Sequence, residues 1–190
     1  MKPQGKLLIF CAPSGSGKTT VVRHLIKTFP TLLDFSISAT TRAPREGELH
    51  GKSYYFLSEA VFRQKIADRE FAEYEMVYEG LYYGTLQSEL DRIWSVQKHV
   101  LFDVDVSGAK SLKAAFGERA VTIFVKPPSL HVLEERLRGR KTESEEELAM
   151  RLEKAAEEIK AAQDFDVILI NDDLTKCLAE AEELIRSVCK

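Results

Sequence analysis

The sequence contains few cysteines, and they follow no recognisable spacing. Its 190 residues include three cysteines, Cys11, Cys177 and Cys189, which share no CxxC spacing with one another or with the four histidines. An odd, widely separated set of cysteines predicts neither a disulfide framework nor a zinc site. It is typical of a protein from a reducing compartment, so we expect a cytoplasmic location.

Long apolar runs are also missing. The first apolar run, residues 7–11, is short and leads directly into a loop. A membrane-spanning helix needs about 20 predominantly apolar residues, and a signal peptide joins a longer apolar segment to a cleavage site of small residues. The sequence therefore predicts no secretory leader and no association with a membrane.

Charge of neither sign is in large excess. The formal net charge is −3, with 30% charged and 44% hydrophobic residues. A general nucleic-acid-binding protein needs a broad basic surface, so we expect no nucleic-acid partner and expect anionic ligands to be held by local arginine clusters. The length and composition predict a single globular domain, residues 1–190, with a full core.

The stretch KLLIFCAPSGSGKTT, residues 6–20, organises the chain. An apolar strand ends before a loop containing Gly15 and Gly17, and a helical pattern begins after Lys18 and Thr19. The glycines leave the loop free to direct its N–H groups around a phosphate at the helix N-terminus. Lys18 is then expected to reach the β and γ phosphates of a nucleoside triphosphate, and the Thr19 hydroxyl to bind Mg²⁺.

This P-loop has one departure, because Ala12 stands where the strict pattern has glycine. The alternative interpretation is an ordinary glycine-rich turn between a strand and a helix, which the buried strand and the Lys-Thr-Thr helix start make less favourable. The residues expected to bind the triphosphate here are Ala12, Pro13, Ser14, Gly15, Ser16, Gly17, Lys18, Thr19 and Thr20.

Strands and helices are expected to alternate through the rest of the chain. The patterns predict strands at 35–38, 54–57, 71–78, 81–85, 99–106, 120–125 and 167–170, and helices at 21–29, 59–67, 86–95, 107–116, 130–137, 144–162 and 174–188. Short connections of this kind predict an α/β fold, three α/β/α layers around a parallel sheet. We expect a core formed by 1–35, 86–134 and 152–190, a β-rich insertion at 36–85 and a helical lid at 135–151.

Two acidic residues, Asp103 and Asp105, end one of the core strands. Side chains two apart on a strand share a face, so both carboxylates are expected to point into the cleft at the carboxyl edge of the sheet. Such acids need a cation or a donor, which suggests Mg²⁺ or its waters for one and a substrate N–H for the other. The alternative is that each of them caps the following helix.

An arginine set follows. Arg136 and Arg140 are four residues apart on one helix face, and Arg151 lies on the next helix, beyond a polar break at 138–143. Guanidinium groups on a closing segment can neutralise the charge that develops during phosphoryl transfer. The alternative is a solvated helix surface held by ion pairs four residues apart.

The insertion supplies a third set of candidates. Arg42 and Arg45, with the hydroxyls of Tyr54 and Tyr83, could hold a second phosphate, and Glu73 could accept from a base with adjacent N–H groups. Taken singly, each residue could equally be part of a surface turn or a half-buried strand. The whole set is Ser38, Arg42, Arg45, Tyr54, Glu73, Tyr83 and Thr85.

At this point the sequence resembles the guanylate kinase family over nearly its whole length. The motif TTRAPREGE, with the later YYF and YYGT, is far more specific than a P-loop alone. The stretches that carry the resemblance are APSGSGKTT (12–20), SISATTRAPREGE (36–48), GKSYYF (51–56), EFAEYE (70–75), YYGT (82–85), FDVDVSGAKS (102–111), PPS (127–129), LEERLRGRKTESEEELAMRL (133–152) and IND (170–172).

The resemblance implies the P-loop NTPase fold and the reaction ATP + GMP → ADP + GDP with Mg²⁺. It implies that ATP is held by the P-loop, Arg136, Arg140 and Asn171. The guanine is read by Ser38, Glu73, Thr85 and Asp105, and the GMP phosphate is held by Arg42, Arg45, Tyr54 and Tyr83. Asp103 joins Thr19 in supporting Mg²⁺, in its case through water. The catalytic residues it implies are Lys18, Arg42, Arg136, Arg140 and Arg151.

Guanine chemistry agrees with these assignments. Its N1–H and N2–H₂ donors suit the carboxylates of Glu73 and Asp105, and its O6 acceptor suits the hydroxyls of Ser38 and Thr85. Adenine would leave buried polar groups unpaired. The sequence departs from the family at Ser107, where glutamine is frequent, and at Lys141, where glycine is frequent.

Two other functions remain as alternatives. One is a guanylate-kinase-like module that keeps the fold, binds a protein partner and lacks catalysis; the intact P-loop and arginines speak against it. The other is a P-loop kinase for a different phosphorylated acceptor, against which the guanine-reading set speaks. The sequence leaves monomer and homo-oligomer equally open.

Overall fold

The computed structural model describes residues 5–139 and 144–189. Its strands are β1 (Leu7–Cys11), β2 (Leu33–Phe35), β3 (Ala39–Thr40), β4 (Tyr55–Phe56), β5 (Phe71–Tyr78), β6 (Leu81–Leu86), β7 (His99–Asp103), β8 (Ala120–Lys126) and β9 (Val167–Ile170). Its helices are α1 (Lys18–Thr28), α2 (Glu59–Ala67), α3 (Gln87–Ser95), α4 (Val106–Phe116), α5 (Leu130–Arg138), α6 (Glu145–Ala161) and α7 (Leu174–Val188).

The larger sheet has five strands in the order β2-β7-β1-β8-β9, and all its pairings are parallel. Its central strand β1 is fully buried, with Leu8 and Phe10 in the core cluster that includes α1 and α7. Leu7, Ile9 and Cys11 belong to the cluster on the other face, which includes α3 and α4. Burial on both faces explains the uninterrupted apolar run in the sequence, and the expected three-layer α/β/α fold is confirmed.

The smaller sheet has four strands in the order β4-β3-β6-β5. β3 pairs with β4 in parallel, and β6 pairs antiparallel with both β3 and β5. Its own small core contains Ala39, Phe62, Tyr82 and Leu86, with α2 packed against the sheet. The chain therefore builds a second β layer between β2 and α3, within the region where the sequence predicted a β-rich insertion.

Several element bounds agree closely with the expectations. The structure gives β5, β9, α2 and α7 the predicted bounds. A capping box begins α6, because the Ser144 side chain accepts from the Glu147 N–H while the Glu147 carboxylate accepts from the Ser144 N–H. These features depend on local pattern and local hydrogen bonds, which a sequence carries directly.

The predicted strand at 99–106 was too long. β7 ends at Asp103, and the Asp105 carboxylate accepts from the Gly108 N–H (2.9 Å), so α4 already begins at Val106. Asp105 is therefore the N-cap of α4, as the capping alternative stated for this residue. An N-cap has extended backbone, which is why its sequence pattern resembles the end of a strand.

The strand predicted at 35–38 was misplaced. β2 covers Leu33–Phe35, and residues 36–38 connect the larger sheet to the smaller one. The two-residue strand β3 that follows was not expected, because two residues are too short to show a periodic pattern.

Candidate active site

The P-loop follows β1 at the carboxyl edge of the larger sheet. Gly15 and Gly17 both have positive φ, 92° and 91°, and the Ser16 N–H donates to the Pro13 carbonyl (3.1 Å). Among the described residues, no side chain caps the start of α1 at Gly17. The first N–H groups of α1 therefore lie at a helix N-terminus, which is suited to a phosphate, and phosphate binding there stays a prediction.

Asn171 packs directly against this loop. It is 4% exposed, and its side-chain amide donates to the Ser16 carbonyl oxygen (2.7 Å). A Cβ at Gly17 would overlap the Asn171 amide nitrogen, so the position requires glycine for its space as well as its φ. Arg136 on α5 donates to the Asn171 carbonyl oxygen (2.9 Å), which brings a predicted ATP-binding arginine to the P-loop side of the molecule.

Arg151 on α6 reaches the loop as well, because its guanidinium donates to the Ser14 hydroxyl (3.0 Å). Arg140 and the family departure at Lys141 lie outside the described residues. Arg138, which is not one of the predicted lid arginines, pairs with Glu134 four residues earlier (3.0 Å) and with Glu145 at the start of α6 (2.5 Å). Two of the three predicted lid arginines thus contact the P-loop or its neighbour Asn171.

Lys18 forms an ion pair with Asp103 and also donates to the Val104 carbonyl (3.2 Å). Both side chains are about one-fifth exposed, at 18% and 24%. The P-loop lysine is therefore held against the end of β7, with a carboxylate as its partner. A bound triphosphate would compete with Asp103 for the ammonium group, and it would free that carboxylate for a metal ion or its waters.

A cleft of about 440 Å³ opens between Lys18 and the smaller sheet. Its walls come from the start of α1, strands β5 and β6, the end of β7, the start of α4 and the segment before β4. The residues that line it are Lys18, Ser38, Arg42, Arg45, Glu48, Tyr54, Glu73, Glu75, Val77, Tyr83, Gly84, Asp103, Val104, Asp105 and Gly108. The predicted GMP-binding residues all line this cleft except Thr85, which is fully buried behind Glu73.

At the basic end of the cleft, Arg42 has a carboxylate partner, Glu48, that was not predicted from the sequence. The Arg42 guanidinium donates to both Glu48 carboxylate oxygens (2.9 Å each), and Glu48 also accepts from the Arg45 N–H (2.8 Å). Gly47, with φ 79°, makes the turn that brings the carboxylate back. The arginine and glutamate six residues apart around a glycine were the available signal for this pair.

Aromatic rings complete the basic end. The Arg42 guanidinium carbon lies 5.4 Å from the centre of the Tyr54 ring, within the range of a cation–π contact. The rings of Tyr54 and Tyr83 are 6.0 Å apart, edge to face. Burial raises the pKa of the Tyr54 hydroxyl, so it stays protonated and available as a donor at neutral pH.

Glu73 lines the cleft away from this basic end. Its pKa is raised from 4.5 to about 7, mainly by burial and further by the negative charges of Asp105 and Glu75. A hydrogen bond from the Thr85 hydroxyl (2.8 Å) opposes that increase in the pKa. Thr85 therefore orients the carboxylate in the ligand-free protein, and Glu73 is protonated in a large fraction of molecules at neutral pH.

Glu73 and Thr85 face each other across β5 and β6, and the next pair in the register is Tyr74 and Gly84. A Cβ at Gly84 would lie 2.7 Å from the Glu73 carbonyl oxygen. The glycine of the YYGT motif thus permits the close approach of the two strands that places Glu73 in the cleft.

The P-loop lysine therefore shares one cleft with a set of arginine and carboxylate side chains. This arrangement is typical of a nucleotide-binding kinase. None of the described helices combines the length and apolar composition needed to cross a membrane.

Comparisons with known proteins identify the family. The guanylate kinase family model matches residues 4–188. A guanylate kinase from Porphyromonas gingivalis is 49% identical over 95% of this chain and 96% of its own length, and one from Chlorobium chlorochromatii is 45% identical over 97% and 96%. The crystal structure of guanylate kinase from Anaplasma phagocytophilum superposes with a TM-score of 0.73 at 28% identity, covering all of this chain and 88% of that one.

The chain belongs to the guanylate kinase family. It is an enzyme, a nucleotide-binding kinase with guanylate kinase activity, and the sequence-based expectation of that function is confirmed.

Proposed function

We propose that this enzyme transfers the γ-phosphoryl group of ATP to GMP, giving ADP and GDP, with Mg²⁺ as cofactor. One observation carries the proposal: a single cleft joins the P-loop lysine to a second set of phosphate-binding and carboxylate side chains. We infer a cytoplasmic role in purine nucleotide metabolism. The two groups of ligands correspond to a donor triphosphate and an acceptor monophosphate.

The donor site is the P-loop. Residues 12–20 surround the ATP phosphates, with the N–H groups at the start of α1 directed toward the β-phosphate and Lys18 shared between β and γ. Arg136 and Asn171 lie beside the nucleotide, a role supported by their contacts with each other and with Ser16. Residues 135–151 act as a lid that closes over the donor.

The acceptor phosphate binds at the basic end of the cleft, between Arg42, Arg45, Tyr54 and Tyr83. Glu48 orients the Arg42 guanidinium through two hydrogen bonds, so the arginine is held in place before the substrate arrives. Residues 36–85 form the acceptor-binding subdomain. The arrangement directs the GMP phosphate oxygen toward Lys18 and the transferred phosphoryl group.

Guanine is read by Glu73 and Asp105 through its N1–H and N2–H₂ groups, and by the Ser38 hydroxyl near O6. The Thr85 hydroxyl, buried behind Glu73, acts by orienting the Glu73 carboxylate. Adenine presents an acceptor at N1 and lacks the N2 amino group, so it would leave a buried carboxylate unpaired. A site built for hydrogen bonds can reject such an analogue by about 10⁴-fold. Because the ionised form of Glu73 accepts both donors, the affinity for GMP should increase as the pH rises through the Glu73 pKa of about 7.

The donor set fits Mg²⁺. Thr19 and Asp103 offer a hydroxyl and a carboxylate, which are hard oxygen ligands, with Asp103 acting through water. Across residues 5–139 and 144–189, no cluster of three histidine, cysteine or acidic residues could hold a metal by itself. Mg²⁺ typically binds through one or two protein oxygens together with substrate phosphates. When bound, it would neutralise charge on the β- and γ-phosphates.

No general base is needed, since the attacking nucleophile is already a phosphate oxygen. The protein aligns the two phosphates and stabilises the negative charge of the transition state. Lys18, Arg42, Arg136, Arg140 and Arg151 carry out that stabilisation. The contact between Arg151 and Ser14 supports the assignment on the donor side.

The proposal is tested by ADP formation from Mg-ATP with GMP, dGMP, AMP, UMP and dTMP side by side. We expect rapid turnover on GMP and little on AMP. Lys18→Ala should lower kcat on GMP by about 10²–10³-fold, as expected for removal of one transition-state donor. Turnover confined to another monophosphate would identify a different acceptor, and no turnover on any nucleotide by the folded protein would favour a binding module.

A further inference from the structure

The chain passes from the larger sheet to the smaller one at residues 36–38, and it leaves the smaller sheet by a second passage that begins after Leu86, at the start of α3. In the first passage, the Ser36 N–H donates to the Leu101 carbonyl of β7 (2.9 Å), whereas the Ser38 carbonyl accepts from the Tyr55 N–H of β4 (2.9 Å). Ile37 is therefore the residue at which the backbone changes from one sheet to the other. A residue in this position is a natural pivot between the two parts.

Glu89, in the first turn of α3 just after the second passage, holds that pivot. It is 2% exposed, and one carboxylate oxygen accepts from the Ile37 N–H (3.0 Å) while the other accepts from the Tyr55 hydroxyl (3.0 Å). Arg92 donates to both oxygens, at 2.8 and 3.1 Å. A buried carboxylate needs such a set of donors, and here they come from both sides of the pivot.

Arg92 ties the same carboxylate to the larger sheet. Its guanidinium donates to the Asp34 carboxylate (3.0 Å) and to the Phe35 carbonyl (3.2 Å), both on β2. The cluster of Asp34, Tyr55, Glu89 and Arg92 therefore spans β2, the 36–38 connection, β4 and α3. We call it the pivot cluster.

The groups that Glu89 fixes are the immediate neighbours of acceptor ligands. Ile37 precedes Ser38, and Tyr55 follows Tyr54, and both Ser38 and Tyr54 line the cleft. A shift of either backbone segment would move a side chain proposed to contact GMP. The four hydrogen bonds that Glu89 accepts come from Ile37, Tyr55 and Arg92, none of which belongs to the P-loop, so these bonds do not hold the donor site.

We propose that Glu89 is a positioning residue for the monophosphate acceptor, acting through Ile37 and Tyr55 and not by touching the substrate. The inference rests on the proposed function, because it assigns Ser38 and Tyr54 to GMP. It goes further than that function because it assigns a positioning role to a buried carboxylate that lies beside the pivot residue Ile37. A merely structural Glu89 would affect both substrates equally; a positioning Glu89 affects GMP selectively.

The test compares Glu89→Gln with wild-type enzyme in steady-state kinetics with each substrate varied. Glutamine keeps the size of the side chain but turns an NH₂ group toward donors, so at least one of the four hydrogen bonds is lost. We expect KM for GMP to rise about tenfold, as for loss of a hydrogen bond to a charged group, with KM for ATP changed less than about twofold. The matched control is Asp91→Asn, which removes an exposed negative charge from the same helix.

A binding measurement gives a second readout that does not depend on turnover. Isothermal titration of the same variants should show weaker GMP binding and unchanged ADP binding for Glu89→Gln, with Asp91→Asn like wild type. Tyr55→Phe removes a single donor to Glu89 and leaves the buried charge paired. It should weaken GMP binding in the same selective way by a smaller factor, and it carries the test if Glu89→Gln does not fold.

Each outcome of these measurements either supports or overturns the positioning role of Glu89. Selective loss of GMP affinity in Glu89→Gln or Tyr55→Phe supports the positioning role. Unchanged GMP affinity, or an equal loss for GMP and ADP, overturns it while wild-type turnover on GMP leaves the proposed function intact. Absence of GMP turnover and binding in wild type would overturn the proposed function and this inference together.

Discussion

The proposed donor and acceptor sites are built in different ways. The proposed donor site is one contiguous segment, residues 12–20, in which glycine conformations and a helix N-terminus supply backbone N–H groups and from which Lys18 reaches the cleft. The proposed acceptor site consists of side chains that lie far apart in the sequence, such as Arg42, Glu73 and Asp105. A backbone site is sensitive to steric change, whereas a side-chain site is sensitive to charge and pH.

The largest effects are expected when one methyl group is added at each of the two proposed sites, because each should then lose one ligand and keep the other. Gly17→Ala places a Cβ on a residue with φ 91° and against the Asn171 amide. We therefore expect ATP binding to fall by about 10²-fold or more, with GMP binding retained. Gly84→Ala places a Cβ 2.7 Å from the Glu73 carbonyl oxygen, so we expect the reverse pattern.

The measurement is titration of each variant with ADP and with GMP, after circular dichroism has shown that the variant is folded. Gly117→Ala is the control for backbone strain alone, because Gly117 has positive φ but open space where the added methyl group would lie. Equal loss of both ligands in either variant would contradict the separation of the two proposed sites.

The raised pKa of Glu73 predicts that the stability of the protein depends on pH. Its pKa is raised in the folded protein, from 4.5 to about 7, so the folded state binds the proton more tightly than the unfolded state. The stabilisation is present below the unfolded pKa of 4.5 and is lost as the pH rises through about 7. Glu73→Gln should therefore raise the free energy of unfolding at about pH 8 by about 1–3 kcal/mol.

Urea unfolding of both proteins at about pH 5 and about pH 8, on either side of the shifted pKa, measures this effect. We expect the variant to gain stability over wild type mainly at the higher pH, while its KM for GMP rises and no longer depends on pH near neutrality. If the free energies of unfolding of wild type and Glu73→Gln differed by the same amount at both pH values, folding would not raise the pKa of Glu73.

Asp105 allows capping and guanine recognition to be separated. Asparagine is also a good N-cap, so Asp105→Asn should keep stability within about 0.5 kcal/mol, whereas Asp105→Ala should lose about 1 kcal/mol. Both variants remove the charge that we propose faces guanine, so both should lose preference for GMP over AMP. Thermal unfolding and the ratio of kcat/KM values measure the two properties.

If Asp105→Asn kept full GMP preference, Asp105 would be a capping residue alone. Asp103 offers no such comparison, because its carboxylate is paired with Lys18 and a substitution there would also remove a partner of the P-loop lysine.

Much of the fold was predictable because it depends on local patterns. The buried strand β1, the loop glycines and the Ser144–Glu147 capping box each follow from neighbouring residues and short-range hydrogen bonds. The strand predicted at 35–38 was misplaced, and the one predicted at 99–106 was too long. At these places the chain leaves the larger sheet or begins a capped helix. Extended backbone there serves a connection and a cap, which no periodic pattern distinguishes from a strand.

The sequence motifs indicate candidate site residues, but they do not reveal the contacts between those residues. The motifs indicate Arg42 and Glu73, yet only the fold pairs Arg42 with Glu48 and places the Thr85 hydroxyl behind Glu73. Glu89 had no motif, since its importance comes from contacts with residues 52 and 34 positions earlier in the chain.

By itself, the sequence determined the P-loop, the order of strands and helices, the family and the residue types able to bind phosphate and guanine. These depend on local conformation and on chemistry that each side chain carries wherever it lies. Only the tertiary structure decided which carboxylates are buried, which arginine each one meets and how residues 36–38 are anchored between the sheets. Burial and long-range pairing depend on the whole packed chain, so they have no local signal.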